Sequence, residues 1–214
     1  MGITTKTCEE NSLLSQFGRR FTVDMPQEHQ GWLAGAQAVA AGGSVVLATA
    51  RMPLPMSIAF EVVSHNAGTV SFAVVGFDHF GNPRQETVTV TTVADTRSYG
   101  MTNFVYDRVT SIQLLTGALA GLGGVGGADD GSDGILDEYV AVGVNYHSPS
   151  GPTRLGLPCQ VRGLTDIAFI TLDGAIVAAP VVATQHFWYV RLPSIPLRAG
   201  RLTIHWADHA EFKY

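Results

Sequence analysis

The stretch GTVSFAVVGFDHFGNPRQETVTVTT, residues 68–92, decides the fold. Val70, Phe72 and Val74 alternate with Ser71, Ala73 and Val75; further on, Val88 and Val90 alternate with Thr87, Thr89 and Thr91. Period-two alternation rich in β-branched residues marks strands, because successive side chains of a pleated strand face opposite sides. Between the two runs, Phe80-Gly81-Asn82-Pro83 supplies turn chemistry. Gly and Asn accept positive φ, and Pro presets its φ while lacking the N–H that a ladder needs. The stretch therefore reads as a long β-hairpin whose turn-stabilising residues are Asp78, Gly81, Asn82, Pro83 and Glu86. Asp78 is placed to cap backbone amides of the turn. Glu86, at the start of the second strand, is expected to accept from turn amides or to pair with Arg84.

Outward from the hairpin, the same reading gives strands at 18–25, 44–50, 56–63, 105–116, 138–145, 160–162, 166–172, 175–179, 186–192 and 201–206. Pro53 and Pro55 read as a turn before the strand at 56–63, which sets Ile58, Phe60 and Val62 against Ala59, Glu61 and Val63. Asp173-Gly174 is a two-residue hairpin turn. Residues 27–43 are ambiguous: Trp32, Leu33, Ala36 and Val39 fit a helical face, but Gly31, Gly35 and Gly42-Gly43 weaken it. They read as irregular, with room for one short helix. Short strands, frequent turns and no helix beyond two turns point to an all-β antiparallel sandwich or barrel-like domain. The expected organisation is an N-terminal arm at 1–17 and one β domain at 18–214, with a Gly-rich loop at 117–134 inserted. Leu13, Leu14 and Phe17 on the arm, and Leu119, Leu122 and Val125 on the loop, are apolar residues on otherwise polar or glycine-rich segments. They are candidate interface anchors, with packing against the chain's own sheet as the alternative.

Composition narrows the function class. Charged residues are 14% of the 214-residue chain, below the roughly 25% of ordinary soluble domains. A charge-poor surface suits a subunit covered by neighbours, so composition leans toward an assembly component. The net charge is −5, and Arg19-Arg20 is the only adjacent basic pair, so no phosphate-tracking stripe exists and no direct nucleic-acid contact is expected. Cys8 and Cys159 make no disulfide framework and read as reduced thiols, although they could pair. Glu9-Glu10 sits where a signal peptide would be apolar, and no run approaches the roughly 20 apolar residues of a membrane span. Synthesis in a cytoplasm, with no membrane contact, is the expectation.

The pattern G-x-D-x-x-G-N-P-x-x-E-T-V-T-V, from Gly76 to Val90, resembles a β-rich structural protein of tailed bacteriophages. In that family a V-x-G-x-D-x-x-G-x-P-x-x-E hairpin precedes an F-x-x-V-T-S-I type strand, a V-x-V-G strand, a G-L-P segment and a D-x-x-x-x-x-x-D-G hairpin. Here the corresponding residues run from Phe104 to Ile112, Val140 to Gly143, Gly156 to Pro158 and Asp166 to Gly174, in that order. The insertion at 117–134 departs from the pattern. The resemblance implies a virion structural role. It implies as partners copies of the chain itself, a trimer among the options, and a major capsid protein, with the virion as location.

Constellations for chemistry are weak. Gly121-Leu122-Gly123-Gly124-Val125-Gly126 formally matches G-x-G-x-x-G, but Asp129-Asp130 follow where a helix N-terminus should meet phosphate. The acidic run Asp129, Asp130, Asp133, Asp137 and Glu138 fails the EF-hand register, with Gly131 at position three and Val140 at position twelve. His205 and His209 are four apart, which aligns ligands on a helix but not on the strand expected there. Trp32, Trp188 and Trp206 could stack sugars, although alternating strand aromatics more often form core. The reading is therefore non-enzymatic, with no catalytic residue, cofactor or metal. It expects a capsid decoration or cement subunit; the alternatives are a tail tube, adaptor or baseplate component, or a carbohydrate- or receptor-binding β-domain.

Overall fold

The computed structural model describes residues 9–10, 19–119, 138–146, 153–156, 167–176, 189–192 and 199–206. Among them every regular element is a β-strand and every strand pair is antiparallel. The fold is all-β. The hairpin read from sequence is its longest ladder: β6 (Gly68–Phe77) pairs β7 (Pro83–Thr92) without interruption from Gly68↔Thr92 to Phe77↔Pro83. Val70, Phe72, Val74, Val88 and Val90 are buried, so the alternation sorts core from solvent as the pleat requires. The other edge of β6 takes β9 (Tyr106–Thr116), which makes β6 an interior strand.

With β4 (Arg51–Met56), β11 (Arg154–Gly156) and β14 (Tyr189–Arg191), these strands form a sheet in the order β14-β11-β4-β9-β6-β7. A second sheet runs β3-β10-β5-β8, from β3 (His29–Gln37), β10 (Tyr139–Val144), β5 (Ala59–Val63) and β8 (Ser98–Met101). The two sheets pack face to face. Phe60 stacks on Phe72 with ring centroids 5.0 Å apart, and Gly100 lies so close to β7 that an added Cβ would be 2.6 Å from Val90 Cγ2. A third sheet joins β1 (Glu9–Glu10), β2 (Arg19–Met25), β15 (Gly200–Trp206), β12 (Ile167–Leu172) and β13 (Ala175–Ile176) in the order β1-β2-β15-β12-β13. Its buried Met25, Leu172, Leu202 and Ile204 belong to the same connected core as Phe60 and Phe72.

Four sequence expectations change. Residues 29–37 are neither irregular nor helical but form β3, while 27–28 and 38–43 are irregular as expected. The edge of β10 needs a hydrogen-bonding partner, and that demand outweighs a glycine-broken helical periodicity. Register shifts along the β3–β10 pair let consecutive Leu33 and Ala34 both be fully buried. Residues 44–50 are not a strand. They cross between the sheets: Val45 N donates to Ile112 O, Ala48 N donates to Leu33 O, and the Gln37 side-chain amide exchanges two bonds with Val46. The strand expected at 56–63 is split, and Pro53 and Pro55 lie inside β4 rather than in a turn. They are tolerated because the β4–β9 register is interrupted between Arg51 and Met56, so no ladder bond needs their missing N–H. Finally, β8 and β11 were not legible as strands at all. Asp173 and Gly174 do form the expected turn, with φ of 49° and 83°. The strand expected at 160–162 lies outside the described residues, as do 177–179 and 186–188 of two others and most of the arm.

Gly143 on β10 is held against β3, where an added Cβ would meet His29 O at 2.2 Å and Trp32 N at 2.6 Å. Gly35, by contrast, has nothing within 4 Å of that position. Gly143→Ala is therefore expected to lower stability by about 2 kcal/mol, as overpacking against rigid backbone does. Gly35→Ala should stay within about 0.5 kcal/mol. Urea unfolding of the two variants checks the contrast.

Candidate functional site

The hairpin tip is organised by one carboxylate. Asp78 is 5% exposed, and its Oδ1 accepts the backbone amides of Phe80 and Asn82, both at 2.9 Å. Its Oδ2 accepts Asn82 Nδ2 at 3.2 Å, Arg84 Nε at 3.0 Å and Arg84 Nη2 at 2.7 Å. Gly81 adopts φ +81°, which the turn requires, and Pro83 opens β7 opposite Phe77. Burial would raise the Asp78 carboxyl, but the bonds from Asn82, Arg84 and Phe80 outweigh it and hold it below the usual aspartate value.

Glu86 has a different task from the one expected. It neither braces the turn nor pairs with Arg84, whose guanidinium is bound to Asp78 and lies 5.5 Å from the Phe104 ring centroid. Glu86 stands opposite Val74, level with the loop that follows β8. There its Oε2 accepts Asn103 N at 2.7 Å and its Oε1 accepts Phe104 N at 2.9 Å. Burial raises the Glu86 carboxyl above its ordinary value despite these two bonds.

The same loop is gripped from the other side by Arg154 of β11. Its Nη1 donates to Thr102 O at 2.9 Å and its Nη2 to Asn103 Oδ1 at 3.2 Å. Thr102 Oγ1 in turn donates to Phe104 O and accepts from Ile58 N. The His79 ring, tilted against Phe80 with centroids 4.0 Å apart, rests on Gly156, where an added Cβ would be 2.9 Å from the imidazole. Hairpin tip, loop 102–104 and β11 thus form one polar bracket. Beside it, Arg191 of β14 stands directly opposite Arg154, and Tyr189 opposite Gly156. Burial pulls the Arg154 guanidinium below the usual arginine value, Arg191 adds to this, and Tyr189 and Glu86 oppose it.

Asp78, Gly81, Asn82 and Pro83 therefore come together, and Glu86 acts one loop away. Leu119 is not an exposed anchor: it is fully buried, and it bridges Val39 through reciprocal backbone bonds. Leu13, Leu14, Phe17, Leu122 and Val125 lie outside the described residues, as do Asp129, Asp130, Asp133, Asp137, His209 and the glycine motif at 121–126. Glu138 is turned inward, accepting from Ser64 Oγ and His65 N. Among the described residues no three His, Cys, Asp or Glu side chains gather as metal ligands do. Sequence reasoning placed Tyr189 and Arg191 on the strand at 186–192 but did not bring them beside Arg154, whose strand of three residues carries no periodicity to place it. A second buried carboxylate, Glu61, accepts from the Tyr139 hydroxyl, and burial together with Glu61 pushes that phenol up to about 12. Comparison with known proteins returns no matching family model, no matching curated protein and no matching solved structure.

Asp78→Ala would take the acceptor from two turn amides and the partner from the Arg84 guanidinium, at an expected cost of about 2 kcal/mol. Because the folded Asp78 value is depressed, its contribution is complete above the unfolded value of 3.8 and is lost as pH falls through the lower folded value. The stability gap between parent and Asp78→Asn should accordingly narrow below pH 3.8 and stay constant from pH 5 to 7. Denaturant midpoints across that range measure it.

Proposed function

We propose that this chain is a non-enzymatic structural subunit of a tailed-phage virion, acting as a decoration or cement protein on the capsid lattice. The observation that carries the reading is where the blocks of the phage-protein pattern lie. The hairpin at 68–92 pairs along β9, which holds the Val109-Thr110-Ser111-Ile112 part of the second block. The aspartate and glutamate of the pattern hold the turn and loop 102–104, and the glycine of the G-L-P block receives His79 from the hairpin tip. Residues far apart in sequence are thereby tied into one structural device, and the roles they have are structural.

A second feature supports the assembly role. The outward face of β6, β7 and β9 carries Thr87, Thr89, Thr91, Ser71, Thr110, Ser111 and Gln113, with Ser71 Oγ and Thr89 Oγ1 3.1 Å apart across the ladder. A broad face of hydroxyls and amides can be covered by a neighbour without burying unpaired charge. Repeated over a lattice, many modest contacts of this kind add through multivalency.

The test is native mass of the chain alone and after mixing with empty capsids of the phage that encodes it. Saturable binding to shells at fixed stoichiometry is the expected result. Thr89→Lys, on the exposed face, should weaken that binding at least tenfold, about 1.4 kcal/mol, while leaving the unfolding midpoint unchanged. A ring that ignores shells moves the protein to the tail, and a monomer indifferent to shells overturns the virion reading.

A further inference from the structure

The β11–β14 pair sets two like charges opposite each other, and no carboxylate among the described residues pairs with either. Arg154 and Arg191 are directly opposite each other, and their neighbours Leu155 and Val190 are buried at 1% and 0% exposure. Alternation therefore puts both arginines, with Tyr189, on the face away from the core. Like charges directly opposed on adjacent strands are destabilising, and natural sheets commonly place a carboxylate across from a guanidinium instead. Among the described residues neither arginine has such a partner. The two terminal nitrogens of Arg154 bond neutral oxygens of Thr102 and Asn103. The Nε–H groups of both Arg154 and Arg191 are buried without an acceptor.

Glu86 is the carboxylate that influences Arg154, but its two oxygens already accept the amides of Asn103 and Phe104. Arg84 and Asp78 neutralise each other. Among the described residues, two guanidiniums against one engaged carboxylate leave an excess of a single positive charge. The neighbouring position on this face, Gly156, has no side chain, and it is walled by His79 and Pro55. We propose that this face of β11 and β14 is a binding site for one carboxylate, bridging the guanidinium groups of Arg154 and Arg191 beside Tyr189. A carboxylate matches the excess charge and offers lone pairs on two oxygens, one toward each arginine. Its source is a free small carboxylate or an acidic side chain of a second copy of the chain, and the chemistry is shared.

Arg191 is the residue to change, because Arg154 also holds loop 102–104. Thermal unfolding of the full chain is followed at constant ionic strength while sodium chloride is replaced by sodium acetate, and separately by sodium sulfate. The expected result is a saturable rise of the midpoint in acetate for the parent, lost in Arg191→Met and weakened in Arg191→Lys. In chloride alone, Arg191→Met should unfold at a higher temperature than the parent, since the opposed charges are relieved. A midpoint that climbs with protein concentration in chloride, for the parent and not for Arg191→Met, assigns the carboxylate to a second copy. An equal acetate response in parent and Arg191→Met overturns the site, and a response confined to sulfate overturns the carboxylate.

Discussion

Asp78 is the constraint from which much of this structure follows. A buried carboxylate accepting two amides, an amide side chain and a guanidinium can exist only if the turn closes in one geometry. That geometry sets the β6–β7 register, and the register decides which side chains face the core. A slip of one residue would send Phe72 and Val88 to solvent and Ser71 and Thr87 inward. The same register carries Glu86 to the height of loop 102–104, where it satisfies two further amides. Backbone donors outside the ladders need acceptors, and here two carboxylates on one hairpin serve four of them.

From the hairpin the order propagates through shared groups rather than through apolar contact alone. Loop 102–104 is held by Glu86 on one side and Arg154 on the other, which joins an edge strand of one sheet to β11. At the far end, residues 39–50 stitch β3 to β9 with isolated backbone bonds and the Gln37 side chain. Both links close the sandwich toward a barrel, which protects strand edges that would otherwise be open to other chains. Between them lies the stacked pair Phe60 and Phe72, where the two sheets meet.

Electrostatics divide the molecule in a way that bears on assembly. Asp78 with Arg84, and Glu138 with the Ser64 hydroxyl and the His65 amide, are locally satisfied and belong to the fold. Arg154 with Arg191 finds no carboxylate of its own among the described residues, and this pair sits on the outward face beside the hairpin bracket. The uncharged hydroxyl face of β7 and the cationic face of β14 lie on opposite edge strands of one sheet. A molecule with two chemically distinct edges can engage two kinds of neighbour.

Local sequence determined the all-β class, the long hairpin, its turn chemistry and the Asp173-Gly174 turn. Each of these follows from side-chain period or from φ preference, which operate within a few residues. Tertiary structure alone decided that residues 29–37 are a strand, since β10 offered a partner that helical propensity could not match. It alone decided that Glu86 serves a distant loop, and that Leu119 is core rather than anchor. Arg154 and Arg191 stand 37 positions apart and were brought together by strands of three residues each. Pairing between short strands is set by which edges remain open once the sheet has formed, and no local pattern encodes that.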